Sequence, residues 1–248
     1  MKDSNRDNLM MGRNPVQEAM EDGRHIEKLM VQKGGDGFLS KLAIRAKEKE
    51  IPLEYVEKSF LDRMTDMGNH QGIVAVIPPY QYGEMEDIFR LAKERSEDPL
   101  MVILDHLEDP HNLGAIIRSA EGAGAHGIII PNRRGVGVTS TVMKTSAGTV
   151  SYLPVVKVAN LVSAMELLKK RGIWIGACDM DGALYTKQDL TGPLGLVIGS
   201  EGFGVSRLVK EKCDFVISIP MKGQGTSLNA SNAAAVLLYE IRRQRDEK

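Results

Sequence analysis

Residues 100–131 run LMVILDHLEDPHNLGAIIRSAEGAGAHGIIIP. Leu100 to Leu104 is an unbroken apolar run, Asp105 to Asn112 is a polar loop, Leu113 to Ala123 has helical periodicity, and Gly127 to Ile130 is a second apolar run. Strand, loop, helix and strand in that order build parallel sheets, and strands with no polar alternation are covered on both faces. The alternation continues downstream. It predicts a helix over 140–146, a strand over 153–156, a helix over 161–170, strands over 173–177 and 194–198, a helix over 206–212, a strand over 215–219 and a last helix over 229–243. The fold class is α/β, a parallel sheet covered by helices.

Upstream the elements are shorter. Residues 1–11 read as a polar, frayed end, and Pro15 to Met20 as a first helix, with Pro15 suited to its first turn. Strands are expected at His25 to Val31, Leu53 to Val56 and Ile73 to Ile77, with helices at Phe38 to Lys49 and from Ser59 to Met64. This gives a small α/β domain over 1–78. Pro78 and Pro79 stop its last strand, and the charged stretch EMEDIFRLAKERSED (84–98) reads as a solvated linker helix within 79–98. The larger domain then spans 99–248.

Of the 248 residues, 42% are hydrophobic and 26% charged, with 32 Lys+Arg against 33 Asp+Glu. That is a globular composition, and it excludes collagen-like and low-complexity classes. Near-neutrality argues at first against a nucleic-acid partner, because phosphate binding is driven by basic side chains. The charge is unevenly spread, however: residues 1–98 carry 15 basic and 19 acidic side chains, residues 99–248 carry 17 and 14. Cys178 and Cys213 lie outside any CxxC pair, which fits a reducing cytoplasm and opposes a cysteine-based metal site. The stretch MKDSNRDNLMMGRNP has no apolar core of a signal peptide, and no run nears the roughly 18 apolar residues of a membrane span. The expectation is a cytoplasmic protein with neither membrane nor metal partner.

Ligands of open parallel sheets bind beyond the carboxyl ends of the strands, and three loops there carry polar groups. In Asp105–Gly114, Asn112 can hold a hydroxyl or anion and Arg118, two turns into the helix, can reach a phosphate. On spacing alone, Asn112 as a helix cap and Arg118 paired with Glu121 account for these residues better, since such caps and pairs are common. Val197–Ser206 (VIGSEGFGVS) is a glycine-rich turn in which Glu201 opposes a pyrophosphate and favours a neutral or cationic ligand. In Ile219–Ser231 (IPMKGQGTSLNAS), Ser227, Asn229 and Ser231 crowd a helix start, more than one N-cap needs.

Residues 102–131, 196–204 (LVIGSEGFG) and 217–234 (ISIPMKGQGTSLNASNAA) resemble, in order and spacing, the three motifs of the SpoU/TrmH branch of the SPOUT methyltransferases. The leader, with GRNPVQEAM at 12–20 and HQGIVAVI at 70–77, resembles the L30e-like RNA-binding domain of the bacterial 23S rRNA guanosine-2'-O-methyltransferases of the RlmB type. The resemblance covers nearly the whole chain. It implies S-adenosylmethionine as cofactor, a homodimer, ribosomal RNA as partner and a deep trefoil knot around the cofactor pocket. Periodicity alone leads to an unknotted doubly wound sheet.

By position, the resemblance assigns cofactor contacts to Ile198, Gly199, Gly202, Ile219, Pro220, Met221 and Leu228, and the reaction to Asn112, Arg118, Glu201, Ser227 and Asn229. Apolar Ile219 and Leu228 suit an adenine, and Gly199 suits a close backbone approach. The resemblance implies Arg118 as the base, assisted by the phosphate of the target nucleotide; an arginine is effectively always protonated, so a milder reading has Arg118 hold that phosphate and steady a developing alkoxide, with Glu201 orienting it. Arg133, Arg134 and Lys144 offer positive charge along an RNA path. Two departures stand out: His106, where the family often has glycine, which reads as a loop residue, and a looser Gln224-Gly225-Thr226 segment. The expected function is S-adenosylmethionine-dependent 2'-O-methylation of a guanosine ribose in 23S rRNA. The alternatives are a tRNA 2'-O-methyltransferase of the same family and a non-catalytic RNA-binding protein. A nicotinamide oxidoreductase is disfavoured because no dinucleotide fingerprint follows the first strand.

Overall fold

The computed structural model describes residues 8–223 and 227–248. The Gln224-Gly225-Thr226 departure lies outside the described residues, as do residues 1–7. The chain divides between Gln81 and Tyr82 into two compact units.

In the first unit, β1 (Leu9–Met11), α1 (Arg13–Glu21), β2 (Lys28–Gln32), α2 (Gly37–Glu48), β3 (Leu53–Val56), α3 (Lys58–Met64) and β4 (Ile73–Val76) follow in order. The sheet order is β1-β4-β2-β3, with β2 and β3 parallel and the other pairs antiparallel. Residues 9–11 are thus a sheet edge rather than a frayed end: Leu9 and Met10 are buried, and Leu9 pairs with Val76. Leu39, Leu42, Ala43 and Ala46 bury one stripe of α2, whose N-terminus is capped by Asp36 accepting from the Phe38 and Leu39 N–H groups.

The second unit comprises α4 (Met85–Arg95), β5 (Leu100–Asp105), α5 (Pro110–Gly122), β6 (Gly127–Pro131), α6 (Ser140–Thr145), β7 (Val155–Val158), α7 (Leu161–Lys170), β8 (Trp174–Leu184), β9 (Leu194–Gly199), α8 (Arg207–Glu211), β10 (Phe215–Ser218) and α9 (Ala230–Asp246). Its six strands are all parallel, in the order β10-β8-β9-β5-β6-β7. β5 and β9 are buried at every residue, which is why they read as continuous apolar runs. Alternate side chains Met101, Ile103, Ile129, Ile175 and Val197 pack with Ile88 of α4, Met165 and Leu168 of α7 and Val209 of α8. The opposite alternation faces α5 and α9, whose Ile116, Ile117, Leu237, Leu238 and Ile241 are fully buried.

Two expectations need correcting. Helix α4 is not a solvated linker: its Ile88 and Ala92, one turn apart, are buried, and Ile88 belongs to the core of the second unit. The charged residues that suggested a linker occupy the other face, with Arg171 holding Glu86. Strand β8 does not end at Ala177 but runs to Leu184, because β10 pairs with it again after a register shift, Ile217 opposite Ala183 and Ser218 opposite Leu184.

A buried histidine joins β5 to the turn before β6. His126 Nδ1 accepts from the Leu100 N–H (3.0 Å), and its Nε2 donates to Glu97 (3.1 Å). Burial holds its pKa below the ordinary imidazole range; Glu97 opposes this in part, while Arg95 and Arg245 reinforce it. The unfolded chain therefore takes up the proton first, so stability is fully present above about pH 6.5 and falls as pH drops toward the native value. Denaturant titrations at pH 7.5 and 5.5 should show this loss in the wild type and a smaller one in His126→Gln. Equal losses in both would refute it.

Candidate active site

The carboxyl ends of β5, β8, β9 and β10 meet at one end of the second unit, where the three polar loops converge. After β9 the chain reverses within Ser200–Gly204, closed by the Ser200 N–H to Gly204 O bond (3.1 Å) and its reciprocal (3.0 Å). Gly202 and Gly204 hold positive φ (88° and 66°) in this turn, and a Cβ on Gly199 would collide with the Gly204 backbone.

The turn walls a cavity of about 540 Å³. Ile198, Gly199, Gly202, Ile219, Met221 and Leu228 line it, together with Glu201, Ser227 and Asn229. Pro220 is exposed beside Ile219 and is not among the lining residues. Ser200 lines it as well, and the sequence reading missed the rest of the lining, Cys178, Asp179, Met180, Phe203, Gly204, Ala230 and Ala233. The first three are on the extension of β8, and no signal in CDMDG marks it as strand. Asp179 is fixed by Lys210 (3.0 Å), which also holds Asp181 (2.6 Å). Burial, with the Asp179 charge beside it, pushes the Cys178 thiol up to about 11, so it stays protonated at neutral pH and is no nucleophile.

Asparagines from two helix starts meet Glu201 at the cavity wall. Asn112 lies in the first turn of α5 but does not cap it: Asp109 accepts from the His111 N–H (2.9 Å) as N-cap, with Pro110 following. The buried Asn112 amide is left free to reach across the site, donating to Glu201 Oε1 (2.9 Å) and accepting from Asn229 Nδ2 (2.9 Å). Asn229 Nδ2 also donates to Glu201 Oε1. Its Oδ1 caps α9, accepting from the Ser231 N–H (2.9 Å) and the Asn232 N–H (3.3 Å).

Arg118 is not part of this cluster. It is exposed on α5, lines neither this cavity nor the one beside it, and among the described residues pairs with neither Glu201 nor Glu121. The expectation that Glu201 orients Arg118 is therefore corrected: the Glu201 partners are the two asparagines, which both donate to its Oε1. Arg133, Arg134 and Lys144 are exposed. The turn carrying the two arginines is tied to the β5–α5 loop by the Val136 N–H donating to Leu107 O (2.7 Å). Lys144 is in the last turn of α6, which packs closely on α5 because Gly114 leaves room for Thr145.

Among the described residues no group of three or more His, Cys, Asp or Glu side chains is placed to hold a metal ion. None of their helices is long and apolar enough to cross a membrane.

The SpoU rRNA methylase family profile matches residues 99–239, and the profile for RNA 2'-O ribose methyltransferase substrate binding matches residues 9–83. A Bacillus subtilis (strain 168) protein, YacO, assigned by name to the TrmH family of tRNA/rRNA methyltransferases, is 46% identical over 245 residues, 98% of each chain. The crystal structure of the SpoU methyltransferase AviRb from Streptomyces viridochromogenes, in complex with AdoMet, is 30% identical with a TM-score of 0.66, covering 97% of this chain and 91% of its own. The A. aeolicus TrmH/SpoU tRNA modifying enzyme is also 30% identical, with a TM-score of 0.55, but covers 65% of this chain and 84% of its own. With the loops, the sheet and both units matched, this chain belongs to the SpoU family of RNA 2'-O-ribose methyltransferases.

Proposed function

We propose that the protein methylates the 2'-hydroxyl of a guanosine in 23S rRNA, using S-adenosylmethionine held in the cavity beside Glu201. The observation that carries this reading is the pairing of an apolar cavity, closed by a turn that excludes a side chain at Gly199, with the Asn112–Glu201–Asn229 cluster on its wall. The cavity fits the cofactor in shape and charge. Ile198, Ile219, Met221 and Leu228 suit the adenine, Gly199 and Gly202 admit close backbone contact, and exposed Pro220 adjoins Ile219 in the chain. When bound, the cofactor supplies a methyl group on a cationic sulfonium. Glu201 and Asp179 place negative charge where a cation is to be held.

Asn229 fixes Glu201, while Asn112 and Ser227 position the ribose. Arg118, permanently charged, holds a phosphate of the acceptor strand and steadies the developing oxyanion. Arg133, Arg134 and Lys144 follow the RNA backbone, and such contacts do not depend on sequence, so target choice falls to RNA shape read by the first unit. The coverage of the A. aeolicus tRNA enzyme, 65% of this chain, favours rRNA over tRNA, since the additional unit is what distinguishes this chain. We read the exposed Val236 and Tyr239 of α9 as part of a homodimer contact. The path from β10 at the sheet edge back to α9 beside α5 we read as that of a trefoil knot. An RNA substrate of this kind places the enzyme in the cytoplasm.

Purified protein incubated with methyl-labelled S-adenosylmethionine and, separately, unmodified 23S rRNA and tRNA should label the rRNA, in an alkali-resistant dinucleotide that begins with guanosine. Label on a base, or on tRNA alone, would overturn the assignment.

A further inference from the structure

Between β6 and α6 the chain makes the loop that carries Arg133 and Arg134, and three of its main-chain N–H groups are tied down. The Asn132 N–H donates to Val158 O of β7 (2.8 Å), and the Val136 N–H donates to Leu107 O of the β5–α5 loop (2.7 Å). The third tie is of another kind: the Val138 N–H donates to the phenol oxygen of Tyr82 (2.8 Å), 56 residues earlier in the chain. Val138 is buried, so losing that oxygen would leave its N–H short of a partner. Tyr82 is not needed to fasten its own segment. Gly83 beside it does so, donating its N–H to Val155 O (3.0 Å) and pairing with Val156 along the outer edge of β7.

The Tyr82 ring has a second use. Lys157 Nζ lies 4.1 Å from its centroid, a cation–π contact. A Cβ on Gly137 would come within 2.8 Å of the Tyr82 hydroxyl and 3.2 Å of Lys157 Nζ, so the ammonium rests against the arginine loop itself. Lys157 is the last but one residue of β7, at the carboxyl end of the parallel sheet, where the reaction loops also lie. Among the described residues Lys157, Arg133 and Arg134 have no carboxylate partner, whereas Lys169, Lys210 and Lys212 of the same unit each hold at least one. A lysine laid on a ring with its charge unspent differs from a solvated one, whose tip moves freely.

We propose that Lys157 is a further phosphate-binding residue for the RNA strand, beside Arg133 and Arg134, and that Tyr82 is the positioning residue that holds both the ammonium and the loop. This deepens the RNA reading given above and rests on it. An ammonium is a point charge without the fork geometry that selects a base edge, so its ligand is the phosphodiester. Held on the ring, it loses less freedom on meeting a phosphate than a solvated lysine does. The Val136 tie to Leu107 joins the loop to the segment that leads into Asn112, so a strand gripped here is set in register with the ribose site.

The test uses the full chain with Lys157→Met, Lys157→Arg, Tyr82→Phe, Tyr82→Leu, and Tyr82→Leu combined with Lys157→Met. S-adenosylhomocysteine binding by calorimetry reports that each variant is folded. Affinity for unmodified 23S rRNA and tRNA transcripts is measured by filter retention across a salt series. Lys157→Met should weaken both complexes by a similar factor, about fivefold, and reduce the slope of log affinity against log salt by about one. Lys157→Arg should keep the wild-type slope. Tyr82→Phe retains the ring and loses only the Val138 bond, so it should raise KM for RNA more than it lowers kcat. Tyr82→Leu should weaken binding, and the double variant should lose less than the product of the two single losses, because the ring acts in part through the ammonium. An unchanged salt slope in Lys157→Met overturns the phosphate contact, and losses that simply multiply in the double variant overturn the positioning role of Tyr82. A wild type that labels tRNA alone, with the change of slope intact, removes the 23S reading and leaves this contact standing.

Discussion

Asn229→Ala is expected to lower stability by about 1–2 kcal/mol and methyl transfer by about 100-fold. Both effects come from one amide used at both ends. Its oxygen caps α9 through the Ser231 and Asn232 N–H groups, and its nitrogen donates to Asn112 and Glu201. Alanine removes the cap and also leaves the half-buried face of the cluster short of a donor, which costs more than the hydrogen bond alone. Asn229→Asp separates the two effects. Aspartate is as good a cap as asparagine, so the melting temperature should recover most of the loss. Its carboxylate would meet Glu201 instead of donating to it, and methyl transfer should stay low. Thermal melts run beside single-turnover assays measure both quantities. If Asn229→Asp regains activity together with stability, the donor side of the amide has no part in the reaction and Asn229 matters only as a cap.

The sheet was readable because its inner strands have no solvent face. Leu100 to Leu104 and Leu194 to Ile198 are apolar at every position, since helices cover both sides of β5 and β9. The order of the strands was not, because β10 and β8 are neighbours only through pairing between residues 34 to 39 positions apart in the chain, and no local pattern encodes it. Helix α4 was misjudged for a related reason. A short helix that buries only Ile88 and Ala92 looks, by composition, like a charged linker; just the one-turn spacing of those two residues betrays its inner face.

At the candidate site the motifs located the loops but not the use of each side chain. Asn112 and Asp109 are both good cap residues three positions apart, and only the fold decides that Asp109 caps α5 while Asn112 is freed to meet Glu201, 89 residues away. Glu201 is the converse case. Its charge suggested a partner in Arg118, yet the carboxylate meets two neutral amides through Oε1, and Arg118 stands on an exposed helix face. Asp179 and Met180 were invisible because they sit in the register shift of β8, between the two stretches at which β10 pairs with it.

Gly199→Ala should abolish measurable S-adenosylmethionine binding, and it is the substitution with the most direct steric cause. A Cβ at this position would run into the C and O atoms of Gly204 and the Val205 N, all backbone atoms of the turn that walls the cavity, so no change of rotamer can relieve it. The turn must shift as a unit, breaking the Ser200–Gly204 bridge and displacing Glu201 from Asn112. Overpacking of this kind costs about 1–3 kcal/mol, and here the displaced atoms are those proposed to touch the cofactor. Gly192→Ala provides the comparison, because nothing lies within 4 Å of its Cβ and its φ is ordinary. That variant should bind S-adenosylmethionine as the wild type does and melt within a few degrees of it. Calorimetric titration of the three proteins then distinguishes a binding turn from a merely tight one: wild-type affinity in Gly199→Ala would mean that the cofactor does not lie against residues 199–204, and that the cavity beside Glu201 is not where it binds.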